Sequence, residues 1–184
     1  MALAKKSGTS ESISLPSGVS CKISGQNIEV SKGSVSLSRK LAEASISAKL
    51  DGDKIVLSSA DGSKRALKLV KTYAAHLRNM FEGLDSEFVY KLEACNVHFP
   101  MTLKVEKDRI AINNFLGEKS PRYASIMPGV SVEVKGAQIT VSGHDKEFTG
   151  QTAANIEKAT KVRNRDRRIF QDGIFITEKA GTKI

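Results

Sequence analysis

This sequence has little that would cross-link it, anchor it in a membrane or let it do chemistry. Its 184 residues include only two cysteines, Cys21 and Cys95, far apart in alternating, strand-like surroundings. They make no disulfide framework and read as reduced, small core residues. No stretch reaches the roughly 18 apolar residues that a membrane-spanning helix needs. The amino terminus, MALAKKSGTSES, has a basic pair but no apolar run long enough for a secretory signal. Residues 1–10 are expected to be a short disordered lead-in. The three histidines, His76, His98 and His144, share no metal-ligand spacing with the cysteines, and His98, ahead of Phe99-Pro100, reads as a turn or half-buried residue. Gly117-Glu118-Lys119-Ser120 is similar to part of a phosphate-binding loop, but the preceding glycine and its spacing are absent, so no nucleotide-hydrolysing site is expected. No nucleophile, base and orienting group can be assembled from these motifs. The chain is therefore expected to be no enzyme, with no cofactor, no metal and no small-molecule substrate.

What the chain does have is positive charge. There are 29 basic against 20 acidic residues, a net charge of +9 and a pI near 9.6. Such a surplus can serve solubility alone, but local clustering points to a polyanion. Between Lys158 and Arg168 stand six cations (Lys158, Lys161, Arg163, Arg165, Arg167 and Arg168) against one acid, Asp166. One or two would suit a helix end, where the dipole favours cations; six suit phosphate. Arginine predominates, and its planar fork matches phosphate better than the point charge of lysine. Few aromatics accompany the cluster, so base stacking is not its expected mode. Recognition of folded RNA by shape, backbone and 2′-hydroxyl contacts is. No basic helix carries large apolar residues opposite its cations, which argues against a membrane surface.

The cluster follows a helix expected from Asp145 to about Val162. Asp145 can cap it, and Glu147 places negative charge in its first turn. Phe148, Thr152, Ile156 and Ala159 make one packing face. Gly150, inside this helix, costs about 1 kcal/mol relative to alanine. It has two readings: close packing on a sheet, or approach of RNA backbone with Gln151 beside it as a hydrogen-bonding group. Lys146 adds a cation at the helix start. Behind the cluster, residues 169–176 read as an apolar anchor broken by an Asp172-Gly173 turn. Gly117 to Arg122 is a polar loop with two cations, Lys119 and Arg122, stiffened by Pro121. It reads as a solvated turn or an RNA contact.

The architecture is doubled. Residues 46–58 lie over residues 130–142, with Ser47/Ser131, Gly52/Gly136, Ile55/Ile139 and Ser58/Ser142 identical. Period-two patterning on both sides of a glycine-containing turn marks a hairpin. Residues 18–31 give a third copy. The first full copy precedes a helix expected over Lys64 to Phe81, with Leu69, Tyr73 and Leu77 on one face and Gly83 as its stop. The second precedes the helix at Asp145. Glu87 to Ala94 and Met101 to Phe115 alternate like strands, with a tight turn at Asp108-Arg109. The expected fold is α+β: two tandem related modules, 1–83 and 84–184, each an antiparallel sheet covered by one amphipathic helix.

Three motifs carry a family resemblance: Ser142 to Ile156; Asp172-Gly173-Ile174 with Thr177-Glu178-Lys179; and Asn113 to Lys119. Val97-His98-Phe99-Pro100 is a weaker fourth. On these the chain resembles the L-six family of large-subunit ribosomal proteins, in its archaeal and eukaryotic branch. Where that family usually has a glycine-proline-basic-glycine turn, this chain has Ser31-Lys32-Gly33-Ser34. The resemblance implies two related domains and a structural role in the large ribosomal subunit, in cytoplasmic ribosomes. It also implies large-subunit ribosomal RNA and neighbouring ribosomal proteins as partners, at the base of the factor-binding stalk, with the second domain making most of the RNA contact. The other function class is a protein-assembly scaffold in another ribonucleoprotein.

Overall fold

The computed structural model describes residues 8–43, 45–97, 99–166 and 168–184. The reading of His98 therefore lies outside the described residues, as do residues 1–7 and Arg167. The chain divides into two compact units, Met1–Ser86 and Glu87–Ile184.

In the first unit, alternation of apolar and polar side chains produces six strands: β1 (Thr9–Ser14), β2 (Ser20–Ser24), β3 (Asn27–Lys32), β4 (Val35–Lys40), β5 (Ile46–Asp51) and β6 (Lys54–Ser59). They form two antiparallel sheets, ordered β1-β6-β5 and β2-β3-β4. Helix α1 (Lys64–Asp85) follows, its start fixed by the Ser63 hydroxyl accepting from the Ala66 N–H. Val70, Ala74, Leu77 and Phe81 pack with Ile28, Val30, Ile55 and Leu57 into one core. Thr9 and Ser10, expected to be disordered, are instead part of strand β1. Gly83 does not stop the helix. It is buried inside the last turn between Phe81 and Leu84, and burial of those two side chains outweighs the roughly 1 kcal/mol cost of a helical glycine.

The second unit contains β7 (Phe88–Cys95), β8 (Thr102–Val105), β9 (Arg109–Asn113), β10 (Arg122–Ser125), β11 (Val130–Lys135), β12 (Gln138–Gly143), helix α2 (Lys146–Ala159), β13 (Gly173–Lys179) and β14 (Thr182–Lys183). Its sheets run β11-β12-β7-β13-β14 and β10-β9-β8. Its core gathers Tyr90, Leu92, Ile110, Ile112, Phe115, Ile139, Val141, Ala153, Ile156 and Ile174. The β8–β9 turn lies at Glu106–Asp108, closed by the Glu106 N–H on the Arg109 carbonyl, so Arg109 opens β9 and is not part of the turn.

The sequence repeat is a structural one. Ser47 faces Ser58 across β5–β6, and Ser131 faces Ser142 across β11–β12. The third copy, β2–β3, sets Ser20 against Ser31. In the first and third copies the hydroxyl oxygens are 2.9 and 2.8 Å apart. The turn glycines Gly52 and Gly136 both have positive φ, 55° and 63°, a conformation that side chains disfavour. The fold is mixed α+β, two related sheet-plus-helix modules, with the sheet of each split in two.

Candidate nucleic-acid interface

Helix α2 sets the geometry. Asp145 Oδ1 accepts from the N–H groups of Glu147 (2.8 Å) and Phe148 (3.4 Å), while Thr149 Oγ1 donates to the Asp145 carbonyl at 2.7 Å. The two bonds to Asp145 Oδ1 satisfy N–H groups that a helix start leaves unpaired. The helix ends at Ala159, three residues short of the expected Val162. Thr160 leaves helical geometry (φ −99°, ψ 12°), and the sheet captures its side chain. Thr160 Oγ1 accepts from the Ile174 N–H at 2.8 Å and reaches the Glu157 carbonyl at 3.2 Å. Most of the basic cluster therefore lies on the loop between α2 and β13, not on a helix end.

That loop is folded around Asp166. Asp166 Oδ1 accepts from the Arg168 N–H at 2.9 Å, and the Asp166 carbonyl accepts from the Phe170 N–H at 2.9 Å. Gln171 Nε2 donates to the Arg168 carbonyl, and the Arg165 guanidinium lies 4.8 Å from the Phe170 ring centre. Lys161, Arg163, Arg165 and Arg168 remain exposed. The expected apolar anchor is narrower than the sequence suggested: Ile174 is buried, whereas Ile169 is 62% exposed. Asp172-Gly173 is not a turn. Asp172 is buried with Oδ1 accepting from the Val97 N–H at 2.8 Å, and Gly173 opens β13. Cys95, at the end of β7, is exposed and not a core residue; Cys21 is half-buried.

Arg122 reaches the cluster from β10. Its guanidinium forms a two-pronged pair with Glu118 and donates through Nη1 to the Ala159 carbonyl at 2.9 Å. It also lies 4.3 Å from the Phe115 ring centre. This brace ties the Gly117–Arg122 loop to the last turn of α2. The hydrogen bond from Arg122, with the charges of Arg122 and Arg165 behind it, holds the Glu118 carboxyl below its ordinary value of 4.5. Arg122, Lys158, Lys161 and Arg163 then line one cleft of about 380 Å³ together with Ala159 and Tyr123.

Other expected site residues stand apart. Lys119 is exposed on the loop beside Glu118. Lys146 is at the far end of α2, its ammonium 5.1 Å from the Phe88 ring centre. At 1.5 Å per residue this is about 18 Å along the helix from Lys158. Gln151 is exposed and donates to Asn155 Oδ1, and Asn155 donates to the Ser125 carbonyl and hydroxyl. Gly150 makes room for the sheet: a Cβ there would meet the Tyr90 hydroxyl at 3.1 Å. Sequence reasoning missed Tyr123, which is 49% exposed and has the Arg109 guanidinium 4.2 Å from its ring centre. It also missed Thr160. Neither carries a local signal, because each acts only once β10 or β13 is docked on α2.

The family model described as "Ribosomal protein L6" matches residues 99–173. The chain is 47% identical over 171 residues to "Large ribosomal subunit protein uL6" of Methanococcus vannielii, spanning 93% of this chain and 94% of that one. It is 44% identical over 167 residues to the protein of the same name from Methanothrix thermoacetophila, spanning 91% and 95%. To that from Aeropyrum pernix it is 43% identical over 178 residues, spanning 96% and 98%. On similarity of this extent, the chain belongs to the uL6 family of large ribosomal subunit proteins.

Proposed function

We propose that this protein is a structural, non-catalytic constituent of the large ribosomal subunit, holding large-subunit ribosomal RNA through its second unit. The observation that carries the reading is the convergence of Arg122, Lys158, Lys161 and Arg163 on one cleft, with the exposed Arg165 and Arg168 on the adjoining loop. Cations from a strand, a helix end and a loop would not meet there by local charge preference. Bound phosphates would release counterions from the RNA, supplying most of the affinity. The rigid footing on α2 and β13 would set the register in which the phosphates are met. Recognition by backbone and 2′-hydroxyl groups fits the polar character of the cleft.

The family membership supports a position near the base of the factor-binding stalk, with neighbouring ribosomal proteins as further partners, in cytoplasmic ribosomes. The test is co-sedimentation with large subunits followed by ultraviolet crosslinking. RNA crosslinks concentrated in residues 122–168 support the reading. Co-sedimentation without RNA crosslinks in the second unit would make the protein a scaffold for other proteins.

A further inference from the structure

Helix α1 carries its charge against its own stability. Positions 64 to 78 hold five cations (Lys64, Arg65, Lys68, Lys71 and Arg78) and no acid. The first turn contains no acidic side chain and the last turn no basic one. Cations thus crowd the positive end of the helix dipole, while Glu82 and Asp85 sit at its negative end. Helix α2, which follows the equivalent hairpin, does the reverse, with Glu147 in its first turn and Lys158 in its last. Asp61 lies just before α1, but its carboxylate accepts from the backbone N–H and hydroxyl of Ser63.

Within this set, Lys64, Lys68 and Lys71 stand at i, i+4 and i+7, in one row on the exposed side of the helix. Arg65 and Arg78 are neutralised by Glu43 and Glu11. None of the three lysines makes an ion pair with a described residue. Successive lysines rise about 6 Å and about 4.5 Å along the axis, so like charges repel along the row. Ala75 continues the row without bulk and is exposed. Contrary to the expectation that no basic helix carries large apolar residues opposite its cations, the opposite face of α1 holds Val70, Ala74, Leu77 and Met80. These are buried in the unit's own core, so the row is held in fixed geometry and that face is not open to a membrane surface. A regular line of unneutralised cations matches a ligand with regularly repeated anions. The only large apolar side chain exposed on α1 is Leu67, at 39%, whereas protein interfaces centre on buried apolar or aromatic anchors.

We propose that the Lys64-Lys68-Lys71 row is a second RNA-backbone contact, made by the first unit and separate from the arginine-rich loop. The proposal rests on the RNA-binding reading above for the identity of the RNA, and on α1 alone for the site. The experiment titrates full-length wild type and three variants against deproteinised large-subunit ribosomal RNA at several salt concentrations. The variants are Lys64→Gln/Lys68→Gln/Lys71→Gln, the corresponding triple arginine variant, and Arg163→Gln/Arg165→Gln/Arg168→Gln. The glutamine row variant should flatten the slope of log affinity against log salt by about 2 units, from roughly 0.7 to 0.9 per lost contact. The arginine row variant should keep the wild-type slope. The glutamine row variant should also melt no lower than wild type, because repulsion is relieved. An unchanged slope beside a weakened loop variant would overturn the row and leave the proposed function standing. An unchanged slope in both glutamine variants would remove both. Unchanged RNA binding with weakened binding to polyglutamate would assign the row to an acidic protein instead. A lowered melting temperature would make the lysines structural.

Discussion

The hydroxyl of Tyr90 reaches under α2 at Gly150, 3.1 Å from where a Cβ would stand. Glycine at this helical position is thus the space that lets a nearly buried tyrosine ring lie between helix and sheet. Gly150→Ala gains up to about 1 kcal/mol in helix propensity but overpacks a site where such insertions cost about 1–3 kcal/mol. We predict a net loss of stability in Gly150→Ala. In a Tyr90→Phe background, which removes the nearest atom, the same substitution should be neutral or stabilising. Thermal melts of the four proteins in this cycle check it.

Thr160→Val should destabilise the second unit by about 1–3 kcal/mol. The hydroxyl lost is the acceptor for the buried Ile174 N–H, and an unpaired buried donor carries its full desolvation penalty. Thr160→Ser keeps the acceptor and should lie close to wild type. Urea denaturation of both variants decides this, and equal stability of Thr160→Val and wild type would remove Thr160 as the tie between α2 and β13.

The Glu118–Arg122 brace predicts a pH dependence. The carboxyl of Glu118 is held below its ordinary value of 4.5 in the folded chain. Its contribution to stability is therefore present above that value and lost as pH falls through the lower folded value. Glu118→Gln should flatten the fall in melting temperature below about pH 4.5 and leave the neutral-to-alkaline branch parallel to wild type. The pair is partly exposed, so the effect should be small and salt-sensitive.

Residues 87–184 contain a complete core of their own, from Phe88 to Ile174. A fragment spanning them should unfold cooperatively in the absence of the first unit. A calorimetric scan with no transition would show that the unit depends on the first.

Period-two and helical patterning exposed the hairpins, both helix starts and the repeat because each rests on neighbours in sequence. Misreadings arose where distant chain decides. Asp172-Gly173 has the composition of a turn, yet the Val97 N–H claims the carboxylate and a Cβ at Gly173 would meet the Phe175 ring at 3.0 Å. Gly83 has the form of a helix stop, yet Phe81 and Leu84 carry the helix past it into the core. The six cations between Lys158 and Arg168 were visible in the sequence. That Arg122 and Tyr123 join Lys158, Lys161 and Arg163 was not, because only the β9–β10 pairing and the docking of α2 bring them together.

The central claim is that the loop after α2 holds RNA by its phosphates. Its most direct test replaces Arg163, Arg165, Arg167 and Arg168 together with glutamine and titrates the protein against large-subunit ribosomal RNA fragments over a range of salt. Four lost contacts should flatten the slope of log affinity against log salt by about 3 units, with the melting temperature little changed because the described arginines of the set are exposed. Slopes that coincide with wild type would contradict the account and take the loop out of the binding surface.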